Sequence, residues 1–131
     1  MNLRLKTNGK TEEKLNELQL YLQLSTKAAV MRLAIGIVIN KRIKMKLRDI
    51  EYDIKNQDGA DYMRYTILGD DDVIYKILIE QHLKQSLSEH EYFPKVINAF
   101  IDAGVEYLYN EYKYLGNRNK LFDKLIFGDN V

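Results

Sequence analysis

Five cations occupy the eight positions from Lys41 to Arg48 (KRIKMKLR): Lys41, Arg42, Lys44, Lys46 and Arg48, with Ile43, Met45 and Leu47 between them. In an extended segment this alternation holds the charges on one side and packs the apolar residues beneath them. Lys and Arg displayed in this way suit backbone phosphates, where they release counterions, and they carry no base code by themselves. The same run could be only a solubilising surface. A membrane surface fits less well, because no aromatic residue lies among the cations.

Other candidate groups are sparser. Asn2, Arg4 and Lys6 alternate with Leu3 and Leu5, so the three polar side chains would share the outward side of a short strand. They could grip DNA, or they could blunt an ordinary edge strand with charge. Asp70, Asp71 and Asp72 follow Gly69 and could hold magnesium for phosphodiester cleavage. Three acids ahead of a helix are more simply an N-terminal cap placed well for the helix dipole. His82 and His90 do not share a helical face and have no cysteine beside them, which argues against a metal site. Tyr107, Tyr109, Tyr112 and Tyr114 could stack bases, though such residues more commonly pack helices or subunits. The sequence has no GxxxxGK[ST], GxSxG or HExxH motif. These residues define no catalytic centre, and no cofactor is expected.

The totals fit one domain over residues 1–131, 46% hydrophobic and 30% charged, with one proline and seven glycines. The absence of cysteine excludes disulfides, persulfide chemistry and thiolate zinc sites. The opening MNLRLKTNGK lacks the apolar core of a signal peptide, and Ala28–Ile39 is too short to span a bilayer. A cytoplasmic protein without membrane contact is the expectation. Net charge is only +1, but residues 1–48 hold 11 Lys/Arg against 3 Glu, whereas residues 49–131 hold 9 Lys/Arg against 16 Asp/Glu. That asymmetry favours a polyanion meeting the N-terminal half.

The elements that must position these groups read as mainly α. A short strand at 2–6 and an Asn8-Gly9 turn precede a first helix, for which Thr11 is the expected cap. Ser25 or Thr26 caps a second, almost wholly apolar helix that runs to about Asn40 and joins directly to the basic run. Gly36 within it predicts a close helix crossing. Alternation at 50–55 and the β-prone Tyr62–Leu68 suggest a small hairpin at 50–68, with irregular extended structure as the alternative. A third helix carries Val73, Ile74, Ile77, Leu78 and Ile79. A fourth starts at Pro94 and runs to about Tyr114, with Gly116-Asn117 as its stop, and Leu121–Phe127 docks as a short helix. The whole reads as four or five helices behind one strand, and its opening order of strand, helix, helix resembles a ribbon-helix-helix module, in which two chains pair their strands. The apolar helix at 28–39 and the Tyr-rich helix are the candidate subunit interfaces.

Three blocks resemble one family. LRLKTNGKTEEKLNELQLYLQLSTKAAVMRLAIGIVI is similar to the opening of the DNA sulfur modification protein DndE family. YMRYTILGDDDVIYKILIEQHL resembles its central xRYTLLGExxxLYxxLL segment, and FIDAGVEYLYNEYKYL its C-terminal INRGVxxLxN helix. The blocks stand in the family's order, and RYTILG is the most specific of them. Leu24-Ser25-Thr26 lacks the glycine common in the first connection, and Asp70 replaces the usual Glu.

The resemblance implies a role in DNA phosphorothioation, in which sulfur replaces a backbone oxygen. Other subunits there supply sulfur, ATP-dependent steps and iron–sulfur chemistry. It implies a DNA-binding component associated with nicked duplex and with tetramers. The resulting expectation is a non-catalytic subunit that holds double-stranded DNA through Arg4, Lys6, Lys41, Arg42, Lys44, Lys46 and Arg48. A metal-dependent nickase using Asp70–Asp72, or an adaptor whose basic face meets an acidic protein, are the competing expectations.

Overall fold

The computed structural model describes residues 2–115 and 118–128. The fold is mainly α, as the sequence implies. Its helices are α1 (Gly9–Leu22), α2 (Lys27–Asn40), a single-turn α3 (Arg64–Leu68), α4 (Asp72–Leu83), α5 (Ile97–Leu115) and α6 (Arg118–Phe127). The expected stop at Gly116-Asn117 lies outside the described residues.

The N-terminal strand forms, but its partner differs from either expectation. β1 (Arg4–Lys6) pairs antiparallel with β2 (Asp61–Met63) of the same chain, in the register Leu5↔Tyr62. No hairpin forms within 50–68: a 3₁₀ turn at Leu47–Asp49 precedes that stretch, a second at Ile54–Asn56 lies within it before β2, and the β-prone RYTIL that follows is helical. Tertiary pairing overrides local propensity here, because Leu5 and Thr7 are buried only if β1 is closed by β2. The ribbon is therefore intramolecular rather than the two-chain pairing of a ribbon-helix-helix dimer.

A buried carboxylate ties this ribbon to the helices. Glu12 accepts hydrogen bonds from the Thr7 hydroxyl (2.7 Å), the Lys27 ammonium (2.7 Å) and the Tyr62 hydroxyl (2.7 Å). Asn8, not Thr11, caps α1, its side chain accepting from the Lys10 N–H; Thr11 is buried and donates to Asp102 (2.9 Å). Helix α1 ends at Gln23 in the left-handed conformation, Thr26 caps α2 through the Ala29 N–H, and the two helices meet at 97°.

Helix α2, whose apolar surface suggested a subunit interface, packs that surface mainly into the core of its own chain. Val30, Met31, Ala34, Ile35 and Val38 are fully buried, as are Phe100, Ile101, Val105 and Leu108 of the facing α5. The close crossing lies at Gly104 rather than Gly36. A Cβ on Gly104 would fall on the backbone of Ala34, whereas Gly36 is exposed with open space around it. Tyr109 and Tyr112 of α5 pack within the chain, whereas Tyr114 is exposed: the Tyr112 ring lies 4.0 Å from that of Tyr21 and 6.0 Å from that of Tyr109, with Lys113 over both α5 rings. Among the described residues, no single helix is long and apolar enough to cross a membrane.

Candidate nucleic-acid interface

Helix α2 stops abruptly at the basic run. Arg42 turns left-handed (φ 52°), and the Ile43 N–H reaches back to the Val38 carbonyl (3.0 Å), satisfying a carbonyl of the last turn. From there the chain follows the alternation expected of it. Arg42, Lys44, Lys46 and Arg48 are exposed, while Ile43, Met45 and Leu47 are half-buried against the core. Lys41 is half-buried at the helix end. Among the described residues, no ion-pair partner stands against Lys41, Arg42, Lys44 or Lys46; Arg48 lies 3.7 Å from its neighbour Asp49.

The run lies between two grooves of opposite character. On one side Arg42, Lys44 and Lys46 face Leu78, Gln81 and Lys84 of the α4 end across a groove of about 750 Å³ whose lining contains no carboxylate. On the other side Lys44 and Lys46 share a groove of about 570 Å³ with Asp49, Glu51, Asp102 and Glu106. Burial pushes the Asp102 carboxyl above the usual carboxylate range, although hydrogen bonds from Thr11 and Asn98 pull the other way. A polyanion is therefore attracted at the α4 side of the run and repelled at the α5 side.

One interaction that positions the run was missed by sequence reading. His82 Nε2 lies 2.7 Å from the Ile43 carbonyl oxygen, with its ring edge-on to Phe100 at 5.5 Å. The only sequence signal is a histidine near the end of a helix; nothing local says that its partner lies 39 residues away.

Arg4 and Lys6 do not join this patch. Arg4 is exposed, Lys6 half-buried, and neither lines the two grooves. Their strand is tied to the segment after the run by Tyr52, whose hydroxyl accepts from the Lys6 N–H (3.0 Å) and donates to its carbonyl (3.3 Å).

Two of the three aspartates are spent on separate structural contacts. Asp72 takes the Arg64 guanidinium on both oxygens (2.6 and 3.2 Å) and the Tyr92 hydroxyl (2.9 Å), and Asp70 accepts from Tyr65 (3.1 Å). Asp71, at the N-cap position, makes no side-chain cap bond. Among the described residues, no three His, Asp or Glu side chains are grouped to hold a metal.

These features define a mainly helical domain, opened by a two-stranded ribbon, that displays one anchored basic run. The family described as DNA sulphur modification protein DndE matches residues 4–115, and the chain belongs to that family. Among solved structures it is similar to DndE from Escherichia coli B7A, described as involved in DNA phosphorothioation modification. The TM-score is 0.62 at 17% identity, over 80% of this chain and 96% of that one. At that identity the likeness is one of fold. No curated protein matches the chain.

Proposed function

We propose that this chain is a non-catalytic subunit of a DNA phosphorothioate modification complex that holds double-stranded DNA by its backbone while partner subunits carry out the chemistry. Family membership supports the system, and the basic run supports the role. The observation that carries the reading is the exposed row Arg42, Lys44, Lys46 and Arg48, seated on a half-buried apolar row and bordered on the α4 side by a groove free of carboxylates. Lys41 extends the row at the helix end, and Arg4 and Lys6 offer a second, separate contact through the ribbon. Phosphate contacts of this kind position a duplex without reading its sequence. Each patch is small, so assembly of several copies would multiply affinity.

Fluorescence anisotropy with intact and nicked duplexes across a salt series tests the reading, comparing the wild type with a Lys41/Arg42/Lys44/Lys46→Ala variant of unchanged thermal unfolding. Wild-type log affinity should fall steeply with log salt, and the variant's slope should be shallower by about 0.9 for each phosphate it no longer neutralises. Equal slopes would move any DNA contact to the ribbon. Magnesium-dependent cleavage that disappears in Asp71→Ala would replace the reading with a nickase.

A further inference from the structure

The groove on the α4 side of the basic run is more apolar than a phosphate contact requires. Arg42, Lys44, Lys46 and Lys84 supply its charge, but Leu78 and Leu83 of α4 and Met45 of the run line it with them. Leu78 is 38% exposed, and Met45 and Leu83 are half-buried, so apolar surface is open to whatever enters. Uncharged donors are scarce: the described lining has no hydroxyl-bearing residue, and the His82 Nε2 is engaged by the Ile43 carbonyl, which leaves Gln81. A phosphodiester is badly matched to such a wall. Both of its non-bridging oxygens carry charge and hold water, and pressing one against Leu or Met strips hydration with no hydrogen bond in return.

Exchange of one such oxygen for sulfur keeps the single negative charge and changes that side of the group. Sulfur is larger, more polarisable and a weak acceptor, so it loses little by leaving water and gains dispersion contact with apolar side chains and a thioether. We propose that this groove recognises the phosphorothioate linkage itself: the cations take the charge and the remaining oxygen, while Leu78, Leu83 and Met45 take the sulfur. The chain then holds the product of the modification in preference to its substrate. The inference rests on the proposed function, which supplies the duplex, and it gives the apolar wall a role that phosphate binding leaves empty. The opposite groove cannot serve, because Asp49, Glu51 and Glu106 line it and would repel any strand placed there.

Anisotropy titrations at fixed salt, with two duplexes of one sequence, test the proposal; one duplex is unmodified and the other carries phosphorothioates at successive central linkages. The wild type should bind the modified duplex about two- to fourfold more tightly, the gain from burying roughly 20–30 Å² of weakly hydrated surface at a seated sulfur. Leu78→Gln/Met45→Gln should bind both duplexes alike and keep the wild-type salt slope on the unmodified one, since no cation is lost. Leu78→Gln alone, at an already exposed position that threatens no packing, should reduce the preference. Lys84→Ala should weaken both duplexes and keep the preference. Equal wild-type affinities with a steep salt slope would overturn the inference and leave the proposed function standing. A preference that survives both apolar replacements would do the same. A wild type that binds neither duplex would overturn both.

Discussion

His82 of α4 donates from Nε2 to the carbonyl oxygen of Ile43 at 2.7 Å, so the basic run is held by a helix that is remote from it in sequence. The carbonyl can only accept, which places the proton on Nε2. Replacing His82 by Leu removes the donor but none of the cations. The expected outcome is a loss of about 1 kcal/mol in stability and a several-fold loss of duplex affinity with the salt slope retained. Lys44→Ala should instead lower the slope itself. Anisotropy titrations at several salt concentrations separate the two effects, and an unchanged affinity in His82→Leu would show that the run needs no such anchor.

Glu12 should dominate part of the acid response. Burial pushes its carboxyl up, but hydrogen bonds from Lys27, Thr7 and Tyr62 outweigh that and hold it below its ordinary value of 4.5. A carboxylate with a lowered folded pKa stabilises fully above its unfolded value, and that contribution disappears as pH falls through the folded one. Stability against urea should therefore drop below about pH 4.5 in the wild type and less steeply in Glu12→Gln. At neutral pH, Glu12→Ala leaves the Thr7 and Tyr62 hydroxyls without their acceptor and should cost about 1–3 kcal/mol.

Arg64 should resist conservative replacement. It is 8% exposed, grips Asp72 with Nε and Nη2 and Glu89 with Nη1 (2.8 Å), and lies about 5 Å over the rings of Tyr92 (5.2 Å) and Phe93 (5.1 Å). The bond to Asp72 is the largest influence raising its affinity for the proton. A lysine supplies one point charge in place of a planar fork and stacks poorly on rings. Arg64→Ala should cost about 3–5 kcal/mol, and Arg64→Lys should recover only a minor part. Thermal unfolding that is equal for lysine and arginine would show that charge alone is needed.

What the sequence made legible was what repeats locally. The apolar helix 27–40, its Thr26 cap and the alternation of KRIKMKLR are periodic signals, and each reappears in the fold. Relations between distant residues were not legible. Tyr62–Leu68 is β-prone, yet only Tyr62 and Met63 join a strand, because β1 supplies the pairing from 57 residues away. Arg64 stands in the most family-specific block, but its role depends on residues 72, 89 and 92. The sequence names the apolar positions of α4, but not that Ile79 alone faces the core while Val73, Ile74, Ile77 and Leu78 lie outward. For the candidate site, the exposed cations were legible, while the acidic wall from α5 and the His82 anchor were not.

Two glycines in facing helices should respond oppositely to the same substitution. Gly36 lies exposed within α2 with open space where a Cβ would go, and Gly104 of α5 lies against Ala34 of that same α2. Gly36→Ala removes the backbone entropy cost of a helical glycine and meets nothing, so it should stabilise by about 0.5–1 kcal/mol. Gly104→Ala gains the same propensity term, but its methyl group would sit on the Ala34 backbone, which cannot rotate away as a side chain could. The two helices must then separate at the centre of the core, where Ile35, Val38, Phe100, Ile101 and Val105 are fully buried. Loss of packing around such a wedge costs typically about 1–3 kcal/mol, more than the helical gain. Urea unfolding of the two variants should therefore shift the midpoint in opposite directions with an unchanged m-value. A midpoint raised in both variants would mean that α2 and α5 can part without loss, and that the crossing at Gly104 does not set their separation.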